Sequence, residues 1–271
     1  MPQQGKDFTE YLETNRNLWN GWTALHQKSA FYDLAAFESG KSSLNSVELE
    51  ELGDVSGKTL LHLQCHFGMD TLSWARLGAQ VTGVDFSDKA IALARSLSEK
   101  LALDARFVCS NIYDLPDVLQ GEFDIVFTSY GVLSWLPDLR RWAEIVAHYL
   151  KPGGTFYIVE FHPVVSLLDE EDPTKITYPY FHSPVPLQLQ AKGSYADPGA
   201  DFTHVEYAWI HSISDVINAV IAAGLRIEFF HEFPFSPYPC WPFVEEKEPG
   251  QWTIKGRPDA LPLLFSLKAT R

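Results

Sequence analysis

The sequence predicts an α/β fold on a doubly wound, mostly parallel sheet, and three observations predict it. Between residues 58 and 162, short apolar runs of strand composition alternate with stretches of helical periodicity. Each parallel crossover must carry a covering helix, and the intervening stretches are long enough to supply one. A final helix is followed by two further strand-like runs, which fits a sheet of seven strands with one antiparallel member.

Taken in order, KTLLHLQ at 58–64 is the first strand, and a helix follows from about Asp70 to the break at Gly78. AQVTGVD at 79–85 is the second. Ser87 then caps a helix on which Ala90, Ile91, Ala94, Leu97 and Leu101 form one apolar stripe. ARFVCS, ending near Ser110, and FDIVFTS, ending near Ser129, are the third and fourth strands. Between Leu139 and Tyr149, the spacing of Trp142, Ile145, Val146 and Tyr149 predicts a helix, which the KPGG at 151–154 stops. TFYIVEF is the fifth strand. Residues 163 to about 210 lose the rhythm and read as an inserted lid rich in proline, aromatics and glycine. A helix capped by Ser212 runs to Gly224, and LRIEFFHEF and LPLLFSLKAT are the last strands, with a proline-rich segment between them. Residues 1–54 read as an N-terminal helical cap on a main domain at 55–271. There is no internal repeat.

A chain of 271 residues, 46% hydrophobic and 21% charged, can bury one large core. Its net charge of -14 repels polyanions, so nucleic acid and anionic membrane are not expected partners and a small neutral or cationic molecule is. Cys65, Cys109 and Cys240 have no paired spacing, and MPQQGKDFTE lacks an apolar signal core, so a cytoplasmic protein without disulfides is expected. No apolar run approaches the roughly 20 residues that cross a bilayer. Monomer and homodimer both stay open.

In such sheets the ligand lies beyond the carboxyl ends of the strands, here the loops after Leu63, Val84, Val108, Phe127 and Val159. The first of these loops reads QCHFG, with a single glycine where a nucleotide-binding loop is usually rich in them. Asp85 closes the second strand, where a carboxylate can accept both hydroxyls of a ribose; a helix-capping role is the alternative. His62, Cys65 and His66 make an H-x-x-C-H spacing without a second ligand pair, so no metal site is expected. Nothing marks Cys65 as a nucleophile.

Five stretches, LLHLQCHFG, VTGVDFS, FVCSNIYDLP, FDIVFTSYGVLSWL and LKPGGTFYIVEF, give the chain a resemblance to the class I S-adenosylmethionine-dependent methyltransferases, in the branch of small-molecule enzymes near those of quinone biosynthesis. With the late helix and strands the resemblance covers roughly residues 55 to 271. It implies a Rossmann-like core and S-adenosylmethionine as cofactor, spent as S-adenosylhomocysteine. It also implies in-line transfer of a methyl group to an O, N or C nucleophile of a small molecule. Family members carry an acid where His62 stands and glycines where Gln64 and His66 stand, whereas Gly68 matches the last glycine. The missing glycines weigh against an NAD-dependent oxidoreductase, because pyrophosphate must approach the helix N-terminus closely. A methionine moiety needs only a turn offering backbone carbonyls, so Gln64 and His66 are expected to bond it themselves. A methyltransferase-like binding protein without turnover is the further alternative.

The same resemblance places Asn111 at the adenine, a turn residue being the alternative, Phe86 and Ile112 as apolar plates around the purine, where they read equally as core side chains, and Thr128 with the cofactor-binding set. For the acceptor, His162 and Tyr130 are the best-placed bases, although His162 also reads as a turn histidine and Tyr130, with a phenol pKa of about 10, as a pocket wall. Tyr11, Trp19, Trp22, Phe31 and Tyr32 in the cap, and Tyr178, Tyr180, Phe181, Tyr195, Tyr207 and Trp209 in the insert, are divided between core packing and an aromatic pocket. The acidic runs at 170–173 and 245–249 read as solvated surface turns.

Overall fold

In the computed structural model, which describes residues 8–169 and 172–271, the alternation of the sequence becomes one seven-stranded sheet covered by helices. The cap supplies α1 (Thr9–His26), α2 (Leu34–Glu38) and α3 (Ser46–Leu52). The core follows as β1 (Thr59–Leu63), α4 (Met69–Arg76), β2 (Gln80–Asp85), α5 (Asp88–Leu101), β3 (Ala105–Cys109), α6 (Leu115–Val118), β4 (Phe123–Ser129), α7 (Leu139–Tyr149) and β5 (Leu150–Phe161). Then come β6 (Leu187–Lys192), β7 (Thr203–Ala208), α8 (Ile213–Ala222), β8 (Arg226–Phe233), β9 (Val244–Glu248), β10 (Gln251–Ile254) and β11 (Leu264–Thr270). The order across the sheet is β3-β2-β1-β4-β5-β11-β8, and β11 runs antiparallel to both of its neighbours. The order reverses between β1 and β4, and there the crevice for a ligand opens.

Local chemistry sets the helices that flank this crevice. Ser87 Oγ accepts the Ala90 amide at 3.0 Å and starts α5, whose Ala90, Ile91, Ala94 and Leu97 are buried. Asp138 Oδ1 does the same for α7 through the Arg141 amide, and the Ser212–Asp215 capping box starts α8. Trp142, Ile145, Val146 and Tyr149 of α7 are all buried against the sheet, each side chain contributing on the order of 1.5–3 kcal/mol by leaving water. The strand after α7 begins earlier than the sequence indicates: Leu150 already pairs with Phe123, and a register shift between Phe123 and Ile125 with Gly153 at φ +76° absorbs the turn.

Two stretches without rhythm in the sequence are partly ordered as hairpins. Within the insert β6 pairs antiparallel with β7, and between β8 and β11 the strands β9 and β10 pair likewise. The acidic run at 245–249 therefore lies on an exposed strand for most of its length, and only its end is a turn. Of the other run, Glu170 and Glu171 lie outside the described residues, as does the start of the chain at 1–7 on which the signal-peptide reading rests.

The cap and the insert form one layer over the sheet. Asn15 on α1 bonds Tyr207 of β7 in both directions, its Nδ2 donating to the carbonyl at 2.8 Å and its Oδ1 accepting the amide at 2.9 Å. Trp22 Nε1 donates to the Gly193 carbonyl at 3.0 Å. Gly21 allows the approach, because a Cβ there would stand 2.5 Å from the Phe202 ring. Among the described residues no helix is long and apolar enough to cross a membrane, and no group of three or more His, Cys, Asp or Glu side chains is placed to hold a metal ion.

Candidate functional site

A cavity of about 660 Å³ lies beyond the carboxyl ends of β1, β2, β4 and β5 and beneath the layer of cap and insert. Its floor is the first loop, where Gln64 (φ +57°), His66 (φ +50°) and Gly68 (φ +78°) all adopt the left-handed backbone conformation. The loop thus follows a glycine-type path while carrying two side chains, at a cost of roughly 1–2 kcal/mol per non-glycine residue. Fixed contacts offset that cost. Gln64 Nε2 donates to the Val132 carbonyl at 3.0 Å, the His66 amide donates to Asp85 Oδ2 at 2.8 Å, and the His66 and His26 rings share a hydrogen bond of 3.0 Å. Burial holds both imidazoles neutral, His26 down at about 3 and His66 well below the usual histidine value. Gln64 Oε1 and His66 Nδ1 are buried and have no partner.

Asp85 accepts the amides of Ser87 and His66, both at 2.8 Å, and burial pushes its carboxyl up to about 6. The Phe86 amide also bonds this carboxylate, which leaves about one of its four lone-pair sites for a ligand. Phe86, Asn111 and Ile112 line the cavity beside it, with Asn111 Oδ1 accepting the Tyr113 amide at 3.1 Å. His62 lines the cavity as well. Its Nδ1 shares a 2.8 Å hydrogen bond with Thr71 Oγ1, and burial lowers its pKa to about 3.

Two residues of the expected set are not brought in. Thr128 is fully buried and does not line the cavity: strand alternation puts it on the face of Val126, while Ser129, one residue on, faces the ligand space. His162 is also outside. Its Nε2 stands 3.0 Å from Glu232 Oε1 on β8 and its Nδ1 accepts the Val164 amide, so the ring is turned toward the far edge of the sheet.

Tyr130 does line the cavity, at φ +34°, a conformation that a bulky residue adopts only when its surroundings impose it. Glu160 imposes it. Its carboxylate accepts the amides of Gly131, Val132 at 2.7 Å, Leu133 at 3.1 Å and Phe161 at 2.6 Å, which clamps the loop after β4. The Tyr130 hydroxyl donates to Glu48 Oε2 on α3 at 2.7 Å.

Several lining residues carry no signal that sequence reasoning picked out. Asp70, in the first turn of α4, accepts Ser43 Oγ at 2.6 Å and Ser129 Oγ at 3.1 Å, and burial raises its pKa. Tyr238 and Trp241 come from the proline-rich SPYPCWPF stretch, whose aromatic density is the same signal that marked the insert. Of the aromatics in the cap, Trp19, Trp22, Phe31 and Tyr32 line the cavity. They meet Tyr195 of the insert, whose hydroxyl bonds that of Tyr32. Tyr11, Tyr207 and Trp209 instead pack on one another, and Tyr178, Tyr180 and Phe181 stay outside this cavity.

Comparison with known proteins adds a family to this geometry. Residues 61–158 match the model of the methyltransferase domain family. A ubiquinone biosynthesis O-methyltransferase of Xanthomonas euvesicatoria is 32% identical over 119 residues, which is 43% of this chain and 49% of that protein. An uncharacterized methyltransferase of Synechocystis is 35% identical over 124 residues, 45% of this chain and 56% of that protein. The chain spans about half the length of the curated relatives it matches. Among solved structures, an S-adenosylmethionine-dependent methyltransferase of Mesorhizobium loti superposes with a TM-score of 0.53 at 20% identity, covering 86% of this chain and all of that one.

Proposed function

We propose that this chain, whose residues 61–158 match the methyltransferase domain family, is a class I S-adenosylmethionine-dependent methyltransferase that transfers a methyl group to a small molecule held under the cap. The observation that carries the reading is the pair of buried, unpartnered atoms on the first loop, Gln64 Oε1 and His66 Nδ1, beside the carboxylate of Asp85. Buried polar atoms without partners are rare and costly, so a polar ligand that bonds them answers the site's own deficit. An ammonium donates to Gln64 Oε1, and a carboxylate or water meets His66 Nδ1. Asp85 takes the ribose hydroxyls, and Phe86 and Ile112 flank the purine. When bound, S-adenosylmethionine supplies an electrophilic methyl group on a sulfonium.

The chain's own residues do the rest. Holding the acceptor in line with that methyl converts a bimolecular step into an intramolecular one, and the aromatic roof of Trp19, Trp22 and Tyr195 excludes water. Partial similarity to an O-methyltransferase of ubiquinone biosynthesis supports an acceptor of small, planar type. The net charge of -14 and the partly covered cavity of about 660 Å³ support a small molecule over a nucleic acid. Titration calorimetry with S-adenosylhomocysteine is the test. Asp85→Ala is expected to weaken binding by about 1.5–3 kcal/mol, tenfold or more, the value of hydrogen bonds to a charged group. Equal dissociation constants would sink the assignment of Asp85, and binding of NAD in preference to S-adenosylhomocysteine would sink the reading as a whole.

A further inference from the structure

We propose that Tyr130 and Glu48 form a proton relay that serves a hydroxyl acceptor, with Tyr130 as the catalytic residue and Glu48 acting through it. The proposal rests on the methyl-transfer reading above and adds the class of nucleophile. Three observations carry it. Tyr130 lines the cavity with a backbone conformation that costs energy and is imposed by the Glu160 clamp, which is where strain is kept for a task. Its hydroxyl hydrogen is committed to Glu48 Oε2 at 2.7 Å, so its oxygen lone pairs are what it offers a ligand. Glu48 is 0% exposed, on a helix of the cap and not of the sheet, so its carboxyl exchanges protons with the cavity by way of this phenol.

The acceptor side of the cavity is aromatic. Tyr130 meets Phe161 and Tyr238 at ring separations of 6.1 and 5.4 Å, and Phe161 meets Trp241 at 5.4 Å. A planar phenol or enol stacks on such walls. In the step, the acceptor oxygen forms its bond to the methyl carbon while its O–H bond breaks. That proton passes to Tyr130 Oη, and the proton already on Tyr130 passes to Glu48 Oε2, so the tyrosine stays neutral and never pays for a phenolate. The electron pair of the broken sulfur–carbon bond remains on the sulfur of the sulfonium donor. A neutral amine needs no such relay, because it attacks with a free lone pair and sheds its proton afterwards.

The surroundings of Glu48 suit the role. Asp70, Tyr157 and Tyr238 face it, and Tyr157 leads on to Glu51, which pairs with His231. Asn45 donates its amide to Oε1 at 2.6 Å. No cation among these contacts neutralises the carboxylate, and burial, with Asp70 adding to it, pushes the acid up to about 7. A proton acceptor of that strength is matched to neutral pH. Below that value Glu48 is protonated and the relay is closed, so the rate with a hydroxyl acceptor falls on the acid side.

The test uses phenol, 4-methoxyphenol and 4-nitrophenol with the matching anilines as acceptors, and follows release of S-adenosylhomocysteine. With phenols, Glu48→Gln is expected to lower kcat about a hundredfold at unchanged KM and to remove the acid limb of the pH profile. With anilines it is expected to change neither. A second readout needs no turnover. Titrated against pH, 4-nitrophenol bound to protein saturated with S-adenosylhomocysteine is expected to develop its phenolate absorbance near neutral pH, as the free phenol does, and Glu48→Gln to move that transition to higher pH. Tyr130→Phe removes only the hydroxyl and is expected to reproduce both effects, which keeps the test open if Glu48→Gln fails to fold. An unaltered pH profile and spectrum in these variants overturns the relay. Methylation of anilines with no phenol methylated or bound overturns the hydroxyl class, while failure to bind S-adenosylhomocysteine overturns the reading on which both rest.

Discussion

Gln64 and His66 hold the left-handed conformation that glycine adopts without cost, and each side chain is anchored to something outside the loop. Gln64 ties the first loop to the loop after β4, and His66 ties it to α1. Replacing both by glycine relieves roughly 1–2 kcal/mol of backbone strain at each position, and also removes those ties and the two unpartnered atoms proposed to bond the cofactor. The expected outcome is a variant that folds at least as well but binds S-adenosylhomocysteine more weakly, while adenosine, which lacks the amino-acid end, binds as before. Calorimetry with both ligands separates the cases. Unaltered or tighter binding of the whole cofactor would mean that the side chains only fill space.

The elements differ in how far they could be read from residues alone, and the difference is one of distance along the chain. The strands of the core and the helices α5, α7 and α8 were legible because period, caps and breakers are local signals, and Ser87, Asp138 and Ser212 act within three residues of themselves. The hairpins β6–β7 and β9–β10 were not, since their sequences are dominated by the proline and aromatic residues around them. Asp70 and Glu48 gain their meaning from Ser129 and Tyr130, 59 and 82 residues away, and His162 is turned out by Glu232 on β8. Buried elements also carry a pH signature. His62 on β1 and His26 on α1 have pKa values lowered from 6.5 to about 3, so the unfolded chain takes up their protons first and stability is lost as pH falls from 6.5 toward 3. Glu48 and Asp85 act in the opposite sense, because their values are raised from 4.5 to about 7 and from 3.8 to about 6. The native state holds their protons first, and stability is gained as pH falls through those windows. For these four groups the sum is a shallow dependence near pH 6 and a loss below about pH 4, where the histidines titrate together with Asp124 and Asp172, whose values are lowered from 3.8 to about 2 and which lose stability in the same direction. Urea unfolding at a series of pH values is expected to show that shape, and His62→Gln to reduce the low-pH slope by about 1.4 kcal/mol per pH unit. An identical slope in the variant would show that His62 is charged in the native protein.

At the scale of the whole molecule, the cavity is partly covered by the cap and the insert, with the segment of Tyr238 and Trp241 forming a further wall, and the cap and the insert hold each other. The polar links are few, Asn15 to Tyr207, Trp22 to Gly193, and the hydroxyls of Tyr32 and Tyr195, and ring contacts such as those of Trp22 with Tyr195 and His204 make up the rest. A layer joined by few polar contacts above a cavity has a low cost of local opening compared with the sheet beneath it, and a ligand bound on both surfaces raises that cost by its binding energy. Opening of the layer is therefore expected to admit and release ligands, with specificity for the acceptor residing in the aromatics of the layer more than in the strands. Limited proteolysis within residues 172–210 is expected to be fast in the free protein and slow when S-adenosylhomocysteine and a bound phenol are both present. Asn15→Ala removes two hydrogen bonds to Tyr207, together worth about 1–3 kcal/mol, so it should accelerate cleavage there severalfold or more without changing the melting of the core. Cleavage at one rate with and without saturating ligands would show the insert to be a passive elaboration, and the residues that choose the acceptor would then have to lie on the strand ends.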